Sequence, residues 1–466
     1  MLDLIRRQAG PQEAIVDRAA GLRLSYQALL DRVEAAAAEL AGLRGRALVF
    51  LMSTNTADYV VLYLACLRAR LPVLLIDAND PQELLLGTYR PALLLAPAPM
   101  SIPGFQANRG VDSAPTYRAW LNPAGAALHP DLAVLLPTSG STGSPKLVRL
   151  TEANLRVNAL SIAEYLGITA SERAIQSLPM YYSYGLSVLN SHLAAGALVA
   201  LTAHSFVRPE FWRDFDEERC TSFAGIPYMY ETLNRLKFDP ARHPSLKTMT
   251  QAGGGLSKNL IAQFHASTRK AGMRLVVMYG QTEASPRIAY VPPERLADKI
   301  GSIGIAIPGG KLSLRPVPGM EDAQEMIYTG PNVMMGYAEC LEDLALGDVL
   351  DGVLETGDLA VMDADGFFWL MGRLKRFAKL FGKRISLEDV ERSLEAEFKV
   401  PCAVVEGQNQ LRVFFEAHGG HDPRHLAGFV ASHLGVPPKA IAACALEALP
   451  RTGNGKKNYS GLDPKP

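Results

Sequence analysis

Residues 134–146 read VLLPTSGSTGSPK, a short apolar run followed by a segment of small residues. The apolar run has the length of a strand, the small segment ends at Lys146, and a helical pattern begins beyond Leu150. Glycines let the backbone approach an anion closely, hydroxyl groups donate hydrogen bonds, and the lysine adds positive charge. The stretch therefore predicts a phosphate-binding loop at the end of a strand.

This loop differs from the Walker A type. The Walker A pattern is GxxxxGK[ST], whereas here two residues separate Gly140 from Gly143 and Pro145 precedes Lys146. Proline has no N–H group to offer a phosphate, so a cradle made of backbone alone is incomplete. A flexible surface linker is the alternative, because runs of Ser, Gly and Thr are common in linkers. The strand before the loop and the lysine after it favour the phosphate loop.

Helical and strand patterns alternate over roughly the first three hundred residues. Ser25 is placed to cap a helix that continues to Leu40, and Thr151 to cap one that ends at Leu166. Residues 274–279 have the composition of a buried strand. Strands that alternate with helices form largely parallel sheets covered on both faces. We therefore expect an α/β fold with a large N-terminal domain of helix-covered, mostly parallel sheets.

The pattern changes at about residue 299, and from there to about residue 370 short segments are separated by frequent glycines. Short strands with many turns predict a small β-rich, barrel-like subdomain within an N-terminal domain of residues 1–373. In the following residues, 374–466, Ser386 is placed to cap a helix over 387–398. We expect this tail to form a small α+β C-terminal domain.

Net charge, cysteine pattern and hydropathy exclude several classes of protein. The 47 basic and 47 acidic side chains cancel, so the chain has no general attraction for nucleic acid or anionic membrane. Five scattered cysteines, never arranged as CxxC, argue against a disulfide framework or zinc site and suit a reducing, cytoplasmic location. The apolar residues 59–76 are interrupted by Arg68 and Arg70, which predicts a buried helix and strand and no membrane span.

Four further motifs follow the loop along the chain. They are YGQTE at 279–283, TGDL at 356–359, GR at 372–373 and PRTGNGK at 450–456. Together with TSGSTGSPK at 138–146, they resemble the signature motifs of the adenylate-forming enzymes. That superfamily contains acyl-CoA synthetases, the adenylation domains of peptide synthetases and firefly-type luciferases. The motifs span residues 138–456, and by them the chain is identified as a member of the superfamily.

The resemblance implies a role for each motif residue. Nucleotide-binding roles fall on Thr138, Ser139, Gly140, Ser141, Thr142, Gly143, Lys146, Gly253, Gly254, Gly255, Tyr279, Gly280, Gln281, Asp358 and Arg373. The implied catalytic residues are Thr282, Glu283 and Lys456. Glu283 would be the Mg²⁺ ligand, and Lys456 would stabilise charge that develops between the substrate carboxylate and the α-phosphate. Lys375 is the implied hinge of a mobile C-terminal domain, whose rotation withdraws Lys456 and brings residues 379–382 toward the pantetheine tunnel.

Several of these residues have a simpler interpretation when taken alone. Glu283 follows an apolar strand, and α/β ligand sites form at the carboxyl ends of strands, but a lone Thr-Glu is more often a solvated loop. Asp358 could merely stabilise a turn, and Tyr279 could pack in the core. The stretch around Lys456 resembles a solvated loop. Their occurrence together with the phosphate loop favours the functional interpretation.

The acyl side of the site is predicted from residues 178–186, LPMYYSYGL, and from one residue further along the chain. By resemblance the pocket is lined by Tyr182, Tyr184, Gly185 and Tyr228. Core packing is an equal alternative for the tyrosines. Many fatty acyl-CoA synthetases have histidine where Tyr182 stands, and amino-acid-activating domains have aspartate where Gly185 stands. A buried ammonium without a countercharge is costly, so we expect a carboxylic acid that lacks an α-amino group.

The implied function is ATP-dependent activation of a carboxylic acid to an acyl adenylate, followed by thioester formation with CoA. ATP and Mg²⁺ are the expected cofactors, and the acid and CoA the expected partners, with no nucleic acid. Transfer of the acyl group to the phosphopantetheine arm of a separate acyl carrier protein is the close alternative. A catalytically silent nucleotide-binding homologue is an alternative of a different class. It is disfavoured because the motif carboxylates, arginine and lysine are all present.

Overall fold

The computed structural model describes residues 1–466 except residues 44, 79–82, 99–107, 123–124, 138–145, 319, 375, 381–382, 408–409, 452–456 and 463–466. For residues 108, 321–322, 377, 379, 383–384 and 460 it describes the backbone alone. The chain forms two compact units. The first holds the described residues up to Leu312 together with Tyr328–Leu354. The second holds Ser313–Ile327 and the described residues from Glu355 onward.

The helices are α1 (Leu2–Arg6), α2 (Tyr26–Leu43), α3 (Ala57–Arg68), α4 (Glu83–Tyr89), α5 (Glu152–Leu166), α6 (Ser183–Ala194), α7 (Pro209–Glu217), α8 (Pro227–Arg235), α9 (Lys258–Lys270), α10 (Leu387–Phe398) and α11 (Pro423–Leu434). The strands up to residue 151 are β1 (Glu13–Asp17), β2 (Leu22–Ser25), β3 (Val49–Ser53), β4 (Val73–Asp77), β5 (Leu93–Pro97), β6 (Asn108–Gly110), β7 (Tyr117–Leu121), β8 (Leu132–Pro137) and β9 (Leu147–Thr151). From there to residue 306 they are β10 (Arg173–Gln176), β11 (Leu198–Leu201), β12 (Ser222–Gly225), β13 (Thr248–Gln251), β14 (Arg274–Gly280), β15 (Arg287–Tyr290) and β16 (Ile305–Ala306). The later strands are β17 (Lys311–Val317), β18 (Met320–Thr329), β19 (Gly336–Ala338), β20 (Val353–Met362), β21 (Phe368–Arg373), β22 (Phe377–Leu380), β23 (Lys383–Ser386), β24 (Cys402–Gly407), β25 (Gln410–Glu416) and β26 (Ile441–Leu446).

Two large mixed sheets form the centre of the first unit. The nine-stranded sheet has the order β16-β15-β14-β13-β12-β10-β11-β1-β2, and its strands from β14 to β1 are parallel. The eight-stranded sheet has the order β19-β9-β8-β4-β3-β5-β7-β6 and is parallel from β8 to β5. Because neighbouring parallel strands end at the same edge, the residues that follow β13 and β14 come together there. The predicted α/β class is confirmed.

Three predicted helix starts are confirmed by their capping geometry. The side-chain oxygens of Ser25, Thr151 and Ser386 each accept a hydrogen bond from the backbone N–H three residues later, at 3.1, 3.0 and 3.3 Å. They cap α2, α5 and α10. Helix α2 runs past its predicted end to Leu43, because Gly42 does not take up the left-handed conformation that often ends a helix.

Helices α3 and α6 are buried on nearly every side. All residues of α6 and residues 57–67 of α3 are buried, and a helix that is apolar all round belongs inside a core. The apolar run 59–76 is therefore α3 followed by β4, and the interrupting Arg68 is exposed where α3 ends. No helix among the described residues is long and apolar enough to cross a bilayer.

The second unit contains most of the sheet β17-β18-β20-β21, the β22–β23 pair and the three-stranded sheet β24-β25-β26. Helix α10 packs on β24, and α11 packs on β26. The buried residues Leu394, Val404, Val413 and Leu426 belong to the core between them. The predicted boundary at residue 373 and the mobility of the C-terminal domain stay predictions.

One buried carboxylate, Glu391 of α10, holds the end of the chain to this unit. It accepts hydrogen bonds from Arg376 Nη2 at 2.5 Å, Val404 N at 2.8 Å, Lys457 Nζ at 3.0 Å and Tyr459 Oη at 3.0 Å. Opposite charges and full hydrogen bonding offset the cost of burying the ion. Lys457 thus fastens the last described residues of the chain to α10.

We expect Glu391→Gln to lower the free energy of unfolding of the full chain by about 3 kcal/mol. The reason is that Arg376 then loses its carboxylate partner and Lys457 keeps only the more exposed Glu395. Chemical denaturation of the purified protein measures this loss. The matched control is Arg392→Gln, on the exposed side of the same helix, where Arg392 pairs with Asp389. An exposed pair contributes less than about 1 kcal/mol, so equal losses in the two variants would contradict the anchoring role of Glu391.

Candidate active site

Eight predicted site residues lie outside the described residues. They are Thr138, Ser139, Gly140, Ser141, Thr142 and Gly143 of the phosphate loop, the hinge Lys375 and the catalytic Lys456. Their predicted roles stay predictions. The other predicted residues are described, with Asp358 and Arg373 in the second unit and the remainder in the first.

The turn between β14 and β15 carries the second motif. Gly280 pairs with Arg287 across the two antiparallel strands, and a Cβ at residue 280 would lie 1.9 Å from the Pro286 carbonyl oxygen. Real Cβ atoms never approach so closely, so glycine is required at residue 280. Directly afterwards Thr282–Ala284 form one turn of 3₁₀ helix. Thr282 and Glu283 are therefore held where β14 ends.

The Glu283 carboxylate is oriented by a tyrosine of β19. Tyr337 donates its hydroxyl hydrogen to Glu283 Oε1 at 2.7 Å. Burial and the nearby Glu283 charge raise the pKa of Tyr337, so it remains a neutral donor. Lys146 Nζ lies 3.6 Å from the centre of the Tyr337 ring and 3.4 Å from Glu339 Oε1. Tyr337 thus contacts both Lys146 and Glu283, and the three residues form one contiguous group in the first unit.

Residues just before β19 fix the backbone of the same turn. Asn332 Nδ2 donates to the carbonyl oxygens of Ala284 at 2.6 Å and Arg287 at 2.8 Å. The Met334 N–H donates to the Glu283 carbonyl at 2.9 Å. Asn332 and Tyr337 lie in no motif found in the sequence, and their contacts with the turn join segments far apart in the chain. No local pattern could have revealed them.

The glycines after β13 let neighbouring side chains approach the backbone closely. Gly253 has φ +85°, and a Cβ there would lie 2.6 Å from the Tyr182 hydroxyl and 3.1 Å from Ile226 Cγ2. Gln251 Nε2 donates to the Gly254 carbonyl at 2.9 Å and holds the turn in place. A backbone surface without side chains, beside an aromatic ring, suits a flat group such as a purine or an aryl acid.

The start of α6 links the glycine turn to the Thr-Glu turn. Ser183 Oγ lies 3.2 Å from Thr282 Oγ1, and Tyr182, at the N-cap of α6, precedes Ser183. Burial raises the pKa of Tyr182 to about 12, so its hydroxyl is neutral at physiological pH. The structure therefore brings together Tyr182, Gly253 and Thr282, which the sequence had placed in three separate motifs. Ser183 is a member of this group that the sequence did not single out.

The other predicted acyl-pocket residues differ in exposure. Tyr184 is buried, and its hydroxyl lies 2.8 Å from Thr250 Oγ1, while Tyr228 is partly exposed and meets the ring of Phe206 edge to face. A Cβ at Gly185 would lie 2.1 Å from the Pro179 carbonyl oxygen. No side chain fits there, so an aspartate at residue 185 is excluded by packing.

In the second unit, Asp358 and Arg373 are partners across β20 and β21. Arg373 Nε lies 3.1 Å from Asp358 Oδ1, the Asp358 side chain is 4% exposed and the Arg373 side chain 59% exposed. Thr356 Oγ1 accepts a hydrogen bond from the Asp358 N–H at 3.1 Å. A carboxylate can accept from two adjacent hydroxyls, as a ribose presents. Glu388 of α10 lies close to this pair, and burial raises its pKa against the opposing charges of Arg373 and Arg376.

The donors present fit MgATP. Among the described residues, no three His, Cys, Asp or Glu side chains are grouped so that they could hold a metal ion. Mg²⁺ in triphosphate sites needs only one or two protein carboxylates, because phosphate oxygens and water complete its shell. Glu283, already oriented by Tyr337, supplies such a carboxylate. When bound, the ion neutralises charge on the phosphates.

The Thr-Glu turn and the glycine turn lie at the ends of neighbouring parallel strands, where α/β proteins bind their ligands. The family model described as AMP-binding enzyme matches residues 93–338, more than half of the chain, and the chain belongs to that family. It is an adenylate-forming ligase of the acyl-CoA synthetase type. The predicted superfamily and enzyme class are confirmed.

Curated relatives align over nearly the whole length. Feruloyl-CoA synthase of Amycolatopsis sp is 29% identical over 97% of this chain and 96% of that protein. Indoleacetate–CoA ligase of Aromatoleum aromaticum is 29% identical over 95% of each. Among solved structures, o-succinylbenzoate CoA synthetase of Bacillus subtilis with its acyl-adenylate intermediate has a TM-score of 0.79 and 20% identity, and covers 98% of this chain and 97% of that one. That likeness shows a shared fold.

We expect Tyr337→Phe to reduce pyrophosphate release about 10- to 100-fold and to raise the Mg²⁺ concentration needed for half-maximal rate. The reason is that a hydrogen bond to a charged group contributes about 1.5–3 kcal/mol. Titration of Mg²⁺ at saturating ATP and acid measures both effects. Tyr89→Phe is the matched control, because it removes a buried hydroxyl that donates to the neighbouring Ala338 carbonyl at 2.8 Å. The same Mg²⁺ dependence in both variants would show that Tyr337 does not orient Glu283.

Proposed function

We propose that this enzyme activates a carboxylic acid without an α-amino group as its acyl adenylate and then transfers the acyl group to CoA. The observation that carries the proposal is the 3.2 Å contact between Ser183 and Thr282, beside the Tyr182–Gly253 wall. The Ser183–Thr282 contact joins the end of β14 to the start of α6, and the Tyr182–Gly253 contact joins the end of β13 to it. A flat or short acid held along that wall has its carboxylate directed toward the turn that carries Glu283.

The residues divide the reaction between them. In the first step a carboxylate oxygen attacks the α-phosphorus of ATP, forming the acyl–phosphate bond as the bond to pyrophosphate breaks. Thr282 and Ser183 offer hydroxyl donors to the acid, and Glu283 would hold Mg²⁺ beside the phosphates. Lys456 stabilises the charge shared between carboxylate and α-phosphate. In the second step a thiolate attacks the acyl carbon, forms the thioester and releases AMP.

The absence of an α-amino group is supported by packing at Gly185. Its contact with the Pro179 carbonyl leaves no room for a carboxylate that would pair with a substrate ammonium. The relatives named for feruloyl, indoleacetate and oxalate thioesters act on acids without that amine. An unpaired buried ammonium would be costly. These points favour an aryl, arylacetic or short organic acid.

The acceptor, the domain movement and the location belong to the same proposal. CoA is favoured because the relatives are named as CoA ligases, and a carrier protein is the alternative acceptor. We further propose that a C-terminal domain of residues 374–466 rotates about Lys375 between the two steps. The five cysteines are free, and burial raises the pKa of the Cys66 thiol to about 12, so that thiol is inert. Free thiols suit the cytoplasm.

We expect acid-dependent release of pyrophosphate from ATP and Mg²⁺, followed by release of AMP only when CoA is added. The purified full chain is incubated with a panel of aryl, arylacetic and short organic acids, and an amino acid serves as the negative member. Coupled pyrophosphate detection and mass spectrometry of the thioester provide the readout. No turnover with any acid would refute the ligase function, and AMP release only with a phosphopantetheinylated carrier would replace CoA as the acceptor.

We expect Lys456→Ala to lower adenylation at least about 100-fold while leaving thioester formation from a supplied acyl adenylate nearly unchanged. The lysine acts on charge that develops only in the first step, and one such donor contributes about 2.7–4 kcal/mol. Single-turnover assays of each half-reaction separate the two. Lys439→Ala, at an exposed lysine of the second unit, is the control. Equal loss in both half-reactions would contradict the assigned role.

A further inference from the structure

Arg287, the first residue of β15, is a buried cation without an acidic partner. It is 3% exposed, and no acidic side chain among the described residues lies within ion-pair distance of it. Its guanidinium carbon lies 4.2 Å from the centre of the Tyr184 ring, and Nη2 donates to Ser187 Oγ at 3.4 Å. Within the described part of the chain, Nε has no hydrogen-bond partner. Buried charges are normally paired and fully hydrogen-bonded, so this arrangement is incomplete.

Arg149 shows how this fold satisfies an arginine that has only a structural role. It is fully buried, and no carboxylate among the described residues lies within ion-pair distance of it either. Its guanidinium instead donates to the carbonyl oxygens of Tyr337 at 3.1 Å and of Met335 and Gly347 at 3.2 Å each, and also to the carbonyl oxygen of Leu346. The donors of Arg149 are therefore used within the protein. Arg287 uses fewer of its donors: Nη2 donates to Ser187, and the guanidinium lies beside the Tyr165 hydroxyl, but Nε has no partner among the described residues. This deficit points to a partner from outside the chain.

Arg287 lies next to the part of the site where the carboxylic acid is proposed to bind. It pairs with Gly280, two residues before Thr282, and its guanidinium lies against Tyr184, whose ring centre is 6.5 Å from that of Tyr182. Burial raises the pKa of both tyrosines, that of Tyr182 to about 12, so neither carries a negative charge that would balance the cation. The countercharge must therefore come from another group.

A small cavity adjoins the guanidinium. It has a volume of about 30 Å³, and Arg287, Tyr184, Ser187 and Thr250 are among the residues that line it. Glu172 lines the cavity as well, but it is already paired with Lys247 at 3.1 Å. A space of this size holds about one water molecule. Only a compact group can enter without moving side chains.

We propose that the acid activated by this enzyme carries a second carboxylate, and that Arg287 binds it at the end of the acyl pocket remote from the reacting carboxylate. The inference rests on the proposed function and names its substrate class, a dicarboxylic acid. A guanidinium matches a carboxylate in charge and in planar shape. Its desolvation has already occurred on folding, so an anionic ligand gains the full benefit of pairing. Analogues that lack the anionic group leave the cation unpaired, which makes their rejection strong.

The experiment compares dicarboxylic acids of increasing length, aliphatic and aromatic, each with its own monoamide. The monoamide keeps the size of the acid and removes one charge. We expect kcat/KM for pyrophosphate release with the preferred diacid to exceed that with its monoamide by about 100-fold. Arg287→Met removes this preference, and Arg287→Lys retains part of it, because the charge remains while the planar fork is lost. A wild-type enzyme that uses diacid and monoamide equally, or an unchanged ratio in Arg287→Met, would overturn the inference.

Calorimetric binding of the same acids, measured without turnover, separates this inference from the proposed function. If the monoamides support pyrophosphate release while every diacid binds weakly, the role of Arg287 is refuted and the ligase function stands. Binding of a diacid that is lost in Arg287→Met, with no pyrophosphate release from any acid, supports the anion site and refutes the ligase function. The wild-type comparison needs no variant, so it decides the question even where Arg287→Met does not fold.

Discussion

The chain can return on itself after β14 only because residue 280 has no side chain. With the Pro286 carbonyl 1.9 Å from the place of a Cβ, alanine would already force the two strands apart. This close approach sets where the Thr282–Ala284 turn lies and which way β15 runs. One glycine therefore fixes the positions of both the Glu283 carboxylate and the Arg287 guanidinium.

The turn made possible by Gly280 is then held from a distant part of the sequence. Asn332 binds the two carbonyl oxygens that flank it, Met334 binds the carbonyl of Glu283, and Tyr337 binds the carboxylate of Glu283. Because Tyr337 lies on β19, which pairs with β9, and Glu283 follows β14, the hydrogen bond links elements of two sheets. Movement of one sheet against the other would misplace the carboxylate, so the catalytic geometry depends on how the first unit packs.

Local patterns in the sequence were enough to predict what depends on neighbouring residues. Capping by Ser25, Thr151 and Ser386, the buried helix before β4 and the strand that leads to Thr282 all follow from short-range rules. What could not be predicted depends on contacts between segments distant in the chain. Nothing near Tyr337 signals its bond to Glu283, and nothing near Arg287 signals that α6 would cover it with Tyr184. Gly185 has a packing reason that sequence could not supply, since the Pro179 carbonyl that excludes a side chain reaches it only in the folded protein.

The buried ions of this protein differ in how their charge is satisfied, and the difference is informative about function. Glu391 gathers four donors, Asp358 faces Arg373, and Arg149 donates to a ring of carbonyl oxygens. Each of these arrangements recovers within the chain the cost of removing a charge from water. Arg287 recovers only part of it, through the face of Tyr184, a 3.4 Å hydrogen bond to Ser187 and the nearby hydroxyl of Tyr165. Selection for stability alone would favour an apolar residue at that position, because replacing an unsatisfied buried charge with a well-packed apolar side chain is neutral or stabilising. This cost is explained if an anionic group of the substrate pairs with the guanidinium. The unpaired charge that destabilises the protein without substrate then makes the enzyme select acids that carry such a group.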